Sequence, residues 1–227
     1  MIFDDNVQTK YRDAMNEAVY TVLEKGNKQH RHTARCVIES DLNIRFVPLD
    51  KIGCSGVTGV VSSRKTDRRI NNEEMDLETA LGEIYITFAD WTFDVAGQRG
   101  CQGTLVHEGL HAVDFAHIIS SFSKAESEPE DVFDLSLYEL ERRAAITSAE
   151  YLVLIGQPDF IDDGLKLNLV SLDGNGAPFV DMNGIETRMQ NGYGLNAENQ
   201  GAIMSKMLGL KKRGDGFSFA RFLGFAR

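Results

Sequence analysis

The chain has 227 residues, of which 42% are hydrophobic and 26% charged, the composition of an ordinary globular protein. Acidic residues outnumber basic ones by 34 to 24, and this net charge of −10 disfavours phosphate binding, so we expect no nucleic-acid partner. There is no apolar run of about 18 residues, and acids stand where a secretory signal has basic residues. We therefore expect a protein that does not enter the membrane, either cytoplasmic or exported without a cleaved signal peptide.

The first hundred residues contain patterns of both helix and strand. Apolar residues at helical spacing predict an amphipathic helix over residues 4–25, which Gly26 ends. Residues 36–63 contain β-branched runs broken by Gly and Pro and predict two or three strands. The charged stretch 64–79 predicts a loop or a short solvated helix. The alternating string EIYITFAD then predicts a half-buried strand over Glu83–Asp90.

The patterns of the second half are mainly helical. Apolar spacing predicts a strong helix over residues 103–122 and a second long helix from Val132 to Ile155. The glycine-rich stretch 156–201 predicts loops and short strands. A final helix is predicted near Ala197–Leu208.

One string in the first of these long helices carries recognisable chemistry. In TLVHEGLHAVDF, the residues His107, Glu108 and His111 form an HExxH motif. A separation of four places both imidazoles on one helical face, one turn apart, so that their nitrogens can bind one ion at about 2.0–2.1 Å. Glu108 falls beside them, where a carboxylate can take a proton from an ion-activated water and pass it to a leaving amine.

The motif, in a helix that follows a strand, resembles the zincin class of metallopeptidases, and the resemblance covers at most residues 84–152. It implies a Zn²⁺ cofactor, a peptide or protein substrate, and an α+β fold with a small mixed or antiparallel sheet beside the HExxH helix. We expect one domain over residues 1–227. Its parts are a helix and sheet portion (1–100), the metal-binding helices (101–155) and a loop-rich C-terminal portion (156–227).

A catalytic zinc site needs a third protein ligand, and one candidate is Glu141 in YELERRAAITSAEYL. Glu141 shares a helical stripe with Ala144 and Ala145, so its carboxylate lies on the face expected to be buried, where it needs a partner. A glutamate on a second helix, thirty residues after His111, resembles the gluzincin arrangement, in which such a residue supplies the ligand. The small alanines would let the two helices approach closely.

The rival third ligand is His117, because HEGLHAVDFAH also matches the HExxHxxxxxH spacing of metzincins. That family has a glycine at the position of Asp114, where the helix ends. Here the helical pattern continues through Phe122, which favours Glu141. The two candidates predict different folds, since the helix either runs on past His117 or breaks near Asp114.

Other residues are predicted to support the site. Asp114 is placed to accept the distal N–H of a ligand imidazole and so to fix its tautomer. Tyr193, in the NGYG loop, is the first candidate to stabilise the oxyanion, and Tyr151 is the second. His30 and His32 form an HxH pair in a basic stretch, which favours a solvated loop over a metal site.

The sequence thus predicts a zinc-dependent metallopeptidase in which Glu108 is the general base. Strand Glu83–Asp90 is expected at the sheet edge beside the cleft, where an extended peptide can add by main-chain pairing. The alternatives are a zinc-stabilised binding or regulatory domain without proteolysis, and an effector or toxin metalloprotease. Glu108 separates a catalytic from a structural site, because a structural zinc needs no such carboxylate and has four protein ligands.

Overall fold

The computed structural model describes residues 1–156 and 169–215 and has an α+β architecture. Its first half contains β1 (Ile2–Phe3), α1 (Thr9–Lys25), α2 (Lys28–Glu39), β2 (Asn43–Val47), α3 (Leu49–Ile52), β3 (Gly56–Val60), α4 (Ser63–Asn72), α5 (Leu77–Leu81), β4 (Ile84–Ala89) and α6 (Trp91–Asp94). The remaining elements are α7 (Gly97–Lys124), a 3₁₀ turn (Pro129–Asp131), α8 (Leu137–Ile155), β5 (Val170–Leu172), β6 (Pro178–Val180), α9 (Met182–Arg188), a π-turn (Met189–Tyr193) and α10 (Met204–Met207).

The four-stranded sheet has the order β1-β2-β4-β3, with β1, β2 and β4 parallel and β3 antiparallel to β4. The prediction that Glu83–Asp90 forms the sheet edge is therefore wrong, since β4 has a partner on each side. The strand is also more than half-buried, since five of its six residues, Ile84 and Ile86–Ala89, are buried. The edge strands are β1 and β3, and β3 lies against α7.

The long helix α7 is the centre of the fold and packs against α1, α2, α5, α8 and the sheet. Its apolar side chains, with those of β2 and β4, form the main hydrophobic core, in which Ile44, Ile86 and Leu105 are at most 1% exposed. Burial of each such side chain contributes about 1.5–3 kcal/mol. The helix predicted over 103–122 is confirmed and begins earlier, at Gly97.

Helix α1 confirms most of the predicted opening helix, and β2 and β3 confirm two strands within 36–63, but residues 36–39 do not form a third. That segment belongs to α2, where Asn27 and His30 form a capping box at the N-terminus. Its buried residues His30, Thr33, Ala34 and Val37 recur every three or four positions, a helical period that the β-branched content obscured. The charged stretch 64–79 forms α4 and the start of α5.

The predicted loop at the HxH pair is also wrong, because His30 is fully buried within α2. Its Nδ1 accepts a hydrogen bond from the Asn27 N–H (3.1 Å), and its Nε2 donates to the Thr147 carbonyl of α8 (2.9 Å). Acceptance at Nδ1 requires a neutral imidazole, and burial lowers the pKa of His30, although the bond to Thr147 opposes this. His32, in contrast, is exposed, so the two histidines lie in different environments.

Helix α8 starts five residues after the predicted Val132. Ser136 is the N-cap, and Ser136 and Glu139 form a capping box in which each side chain accepts the other's N–H. Gly156 ends the helix with φ 70°, a conformation that favours glycine. The predicted second long helix is confirmed with this later start.

The C-terminal portion forms the two-stranded antiparallel sheet β5–β6, as predicted, but α9 and the π-turn were not expected there. Of the helix predicted near Ala197–Leu208, only the short α10 (Met204–Met207) forms. Residues 157–168 of the stretch predicted as loops and short strands lie outside the described residues. Within the described part, every helix is too short or too polar to cross a membrane.

Candidate metal centre

Three predicted ligands come together where α7 crosses α8. The Nε2 atoms of His107 and His111 lie 3.1 Å apart. Glu141 Oε2 lies 3.5 Å from His107 Nε2, and Glu141 Oε1 lies 3.6 Å from His111 Nε2. Ligands placed tetrahedrally about 2.0–2.1 Å from one ion are separated by about 3.3–3.4 Å. The three groups thus already have nearly the spacing that a shared zinc ion requires, and two histidines with one glutamate are a donor set that zinc accepts.

Small residues let α8 approach α7 closely enough for Glu141 to reach the histidines. Ala144, Ala145 and Ser148 are fully buried on the same side of α8. The hydroxyl of Ser148 donates to the Ala144 carbonyl (2.8 Å), so it does not project a polar group into the helix interface. The buried stripe that the sequence indicated around Glu141 is confirmed.

The three groups are strongly coupled electrostatically. Burial disfavours the charged forms of both His111 and Glu141, but their mutual attraction outweighs this cost. The attraction raises the pKa of His111 to about 9 and holds the pKa of Glu141 well below its usual range. Glu108 and Asp114 add smaller attractions to the His111 imidazolium. The carboxylates around His111 therefore stabilise a positive charge on its imidazole.

Glu108 lies beside this centre and is held by the edge strand. It is 6% exposed, and its Oε2 accepts a hydrogen bond from Thr58 Oγ1 of β3 (2.7 Å). Strand β3 comes this close because Gly56 has no side chain. A Cβ on Gly56 would lie 2.7 Å from Glu108 Cγ and 2.8 Å from Thr104 Cγ2. Gly56 and Thr58 therefore fix the position of the predicted base.

We expect Gly56→Ala to destabilise the protein by about 1–3 kcal/mol, because the added methyl group must displace Glu108 or Thr104. The matched control is Gly174→Ala, where a Cβ meets nothing within 4 Å and φ is not positive. That variant should stay within about 0.5 kcal/mol of wild type. Urea unfolding measures both, and equal midpoints for the two variants would show that β3 does not approach α7 this closely.

Tyr193, the first candidate for oxyanion stabilisation, is brought to the centre. Its hydroxyl donates to Glu141 Oε2 (2.9 Å). Tyr151, the second candidate, is fully buried in the core, where its hydroxyl donates to Gln102 (2.9 Å). The structure thus separates the two tyrosines and leaves Tyr193 beside the three candidate ligands.

Asp114 is not arranged as predicted. It is buried, but Oδ1 lies 3.2 Å from Arg143 Nη2, while Oδ2 and His111 Nδ1 make no hydrogen bond with the described residues. The expected bond from an imidazole N–H to Asp114 is therefore absent from the described part of the chain. Burial raises the pKa of Asp114, and the charges of Arg143 and His111 oppose this increase. The cost of burying this acid is offset by Arg143, which the sequence analysis did not consider.

The rival ligand His117 lies on the exposed side of α7, with its ring 6.0 Å from that of Phe133. Helix α7 continues through it without a break. The structure therefore brings Glu141 to the two histidines and leaves His117 away from them.

A pocket opens beside the centre. Among the residues that line it are Ser55 and Gly56 on one side, His107 and Glu108 of α7, and Arg188 and Tyr193. Sequence analysis missed Gly56, Thr58, Arg143 and Arg188. A glycine within a strand indicates a close backbone approach and was a usable signal for Gly56, whereas the other three residues have no local signature.

Comparisons of this chain with models of protein families, with curated proteins and with solved structures gave no match. The function is therefore argued from the residues of the site.

Proposed function

We propose that this protein is a zinc-dependent metallopeptidase of the gluzincin type, with a zincin-like fold. The observation that carries the proposal is the His107, His111 and Glu141 cluster, whose contacts of 3.1, 3.5 and 3.6 Å are close to those of tetrahedral zinc ligands. A carboxylate, Glu108, and a pocket lie beside it.

The described residues supply three ligands and an adjoining pocket, which favours a catalytic over a structural site, since structural zinc has four protein ligands. When bound, zinc would lower the pKa of a water towards 7 and polarise the scissile carbonyl. This reading is preferred to a zinc-stabilised binding domain because such a domain gives Glu108 no role.

The chain's own residues have distinct roles in this proposal. Thr58 holds Oε2 of Glu108, so that the carboxylate is oriented to accept the proton of the attacking water and deliver it to the leaving amine. Tyr193 is placed to donate its hydroxyl to the substrate oxygen on which negative charge develops. In doing so it would exchange its bond to Glu141 for one to the substrate.

Strand β3 supports a peptide as the substrate. It is an edge strand of the sheet, and its first residue, Gly56, lines the pocket together with the preceding Ser55. An extended peptide can pair with the outer edge of such a strand through main-chain hydrogen bonds. Pairing there would carry the peptide past Glu108, which contacts both Gly56 and Thr58.

The proposal is tested with a proteome-derived peptide library incubated with the zinc-loaded protein. We expect new peptide termini that disappear when a chelator removes the metal and return when zinc is restored, because three of the predicted participants are metal ligands. Mass spectrometry identifies the termini. A zinc-loaded, folded protein that cleaves no peptide in the library contradicts the proposal.

A further inference from the structure

A thiol and an imidazole lie side by side on α2, a helix that contributes no ligand to the candidate metal centre. His32 and Cys36 are four residues apart, the spacing that also brings His107 and His111 onto one face of α7. The Nε2 atom of His32 lies 3.7 Å from the Sγ atom of Cys36. His32 is exposed and Cys36 is half-buried, so the pair is open to solvent.

The separation of these two atoms is close to that of two zinc ligands. Zinc binds a thiolate sulfur at about 2.3 Å and an imidazole nitrogen at about 2.0–2.1 Å. Around a tetrahedral ion, these bond lengths place the two ligand atoms about 3.6 Å apart. At the observed 3.7 Å, an ion can therefore replace the proton of the thiol and bind both atoms with little movement of either side chain.

The packing of α2 fixes this spacing before any ion binds. The helix begins at the capping box of Asn27 and His30, and its buried face packs against α7. The two helices approach closely because Gly109 of α7 has no side chain, and a Cβ there would lie 2.9 Å from Thr33 Cγ2. Thr33 directly follows His32. Little backbone freedom is thus lost when an ion binds to the pair, which lowers the cost of binding.

The charges around the pair indicate the kind of ion. Burial raises the pKa of the Cys36 thiol, and the negative charge of Glu39 raises it further. The same carboxylate attracts a cation to the sulfur, whereas the neighbouring Arg31 and Arg35 repel it. An ion that binds here must release the thiol proton to solvent, and the bond to the resulting thiolate is its main gain. That requirement favours a metal that binds sulfur and imidazole, such as zinc, over a hard cation such as Mg²⁺.

We propose that His32 and Cys36 form a second metal site, which binds zinc or another divalent transition ion through one imidazole and one thiolate. Water completes the coordination. With two protein ligands instead of three, this site should lose its ion to a chelator before the centre on α7 and α8 does, which leaves one ion per chain. The inference is independent of the peptidase proposal, because no residue of α2 has a role in that reaction.

The test titrates the metal-free protein with Co²⁺ and records the thiolate-to-cobalt charge-transfer absorption in the near ultraviolet. His107, His111 and Glu141 supply no sulfur, so an ion bound to them does not produce this band. We expect a saturable band with the intensity of one thiolate ligand per chain.

Variants then assign the band to the pair. Cys36→Ser should abolish it. His32→Ala should weaken Co²⁺ binding at the sulfur by more than about 10-fold, the smallest loss typical of removing a residue that only supports a ligand. The matched control is Cys54→Ser, which should keep the band with an unchanged midpoint. Cys54 is the other partly exposed thiol and lines the pocket beside the candidate metal centre, whereas Cys101 is fully buried.

The absence of the band in wild type overturns the inference, as does a band that survives Cys36→Ser or a midpoint that His32→Ala leaves unchanged. Far-ultraviolet circular dichroism checks that each variant is folded. If Cys36→Ser does not fold, His32→Ala decides, because His32 is exposed and its removal leaves the packing of α2 against α7 intact.

Discussion

Replacing Glu108 with glutamine should reduce peptide hydrolysis by about 10²–10⁴-fold, the usual contribution of a positioned general base, while zinc remains bound. Glutamine has nearly the shape of glutamate, and its amide can still bond to Thr58, so β3 and α7 should keep their contact. The amide cannot accept the proton that the reaction releases from water. Loss of turnover with an unchanged site is thus the expected signature of a base.

The measurement compares the cleavage rate and zinc content of wild type, Glu108→Gln and Glu150→Gln. Glu150 is an exposed acid of α8 and serves as the matched control, with activity and zinc content expected at wild-type levels. If Glu108→Gln binds zinc and cleaves as fast as wild type, Glu108 is not the base. In that case the peptidase mechanism proposed for this site fails.

The proposed metal ligands could be predicted to come together because each depends on spacing within a single helix. His107 and His111 are one turn apart, so any helix there places them together. Glu141 could be chosen over His117 because the apolar pattern continued past His117 and because Ala144 and Ala145 marked a buried face. Both arguments need only the period of a helix.

The surroundings of Glu108 could not be predicted because they depend on the order of the strands. Thr58 contacts Glu108 across fifty residues of sequence. That contact exists only because β3 lies outside β4, although it precedes β4 in the chain. Alternation in β4 was compatible with either an edge or an interior position, so the sequence pattern did not determine which strand borders the cleft.

Two further features depend on backbone geometry and long-range pairing. The π-turn adds a wider hydrogen-bond period after α9, which no apolar pattern marks, and Tyr193 is its last residue. Asp114 is buried but does not accept the predicted imidazole N–H, and its partner Arg143 comes from another helix. Polar contacts between distant elements are thus the part of the site that required the structure.

The third ligand gives the second large expected effect. Glu141→Ala should lose far more zinc affinity than the 10- to 100-fold typical of removing a residue that only supports a ligand. The reason is geometric, because Glu141 is the described acid within 3.6 Å of both histidine Nε2 atoms. Glu141→Gln keeps the shape of the side chain and separates loss of the charge from a change in helix packing.

His117→Ala is the matched comparison, since His117 is the other candidate ligand and lies on the same helix as His107 and His111. Its side chain is exposed, so its removal should change stability by less than about 0.5 kcal/mol and leave one zinc ion per chain. Zinc stoichiometry and competition with a chelator of known affinity measure both variants side by side. Retention of zinc by Glu141→Ala together with its loss from His117→Ala would mean that the metal is held by the histidine spacing of α7 alone, and that α8 is only a packing partner.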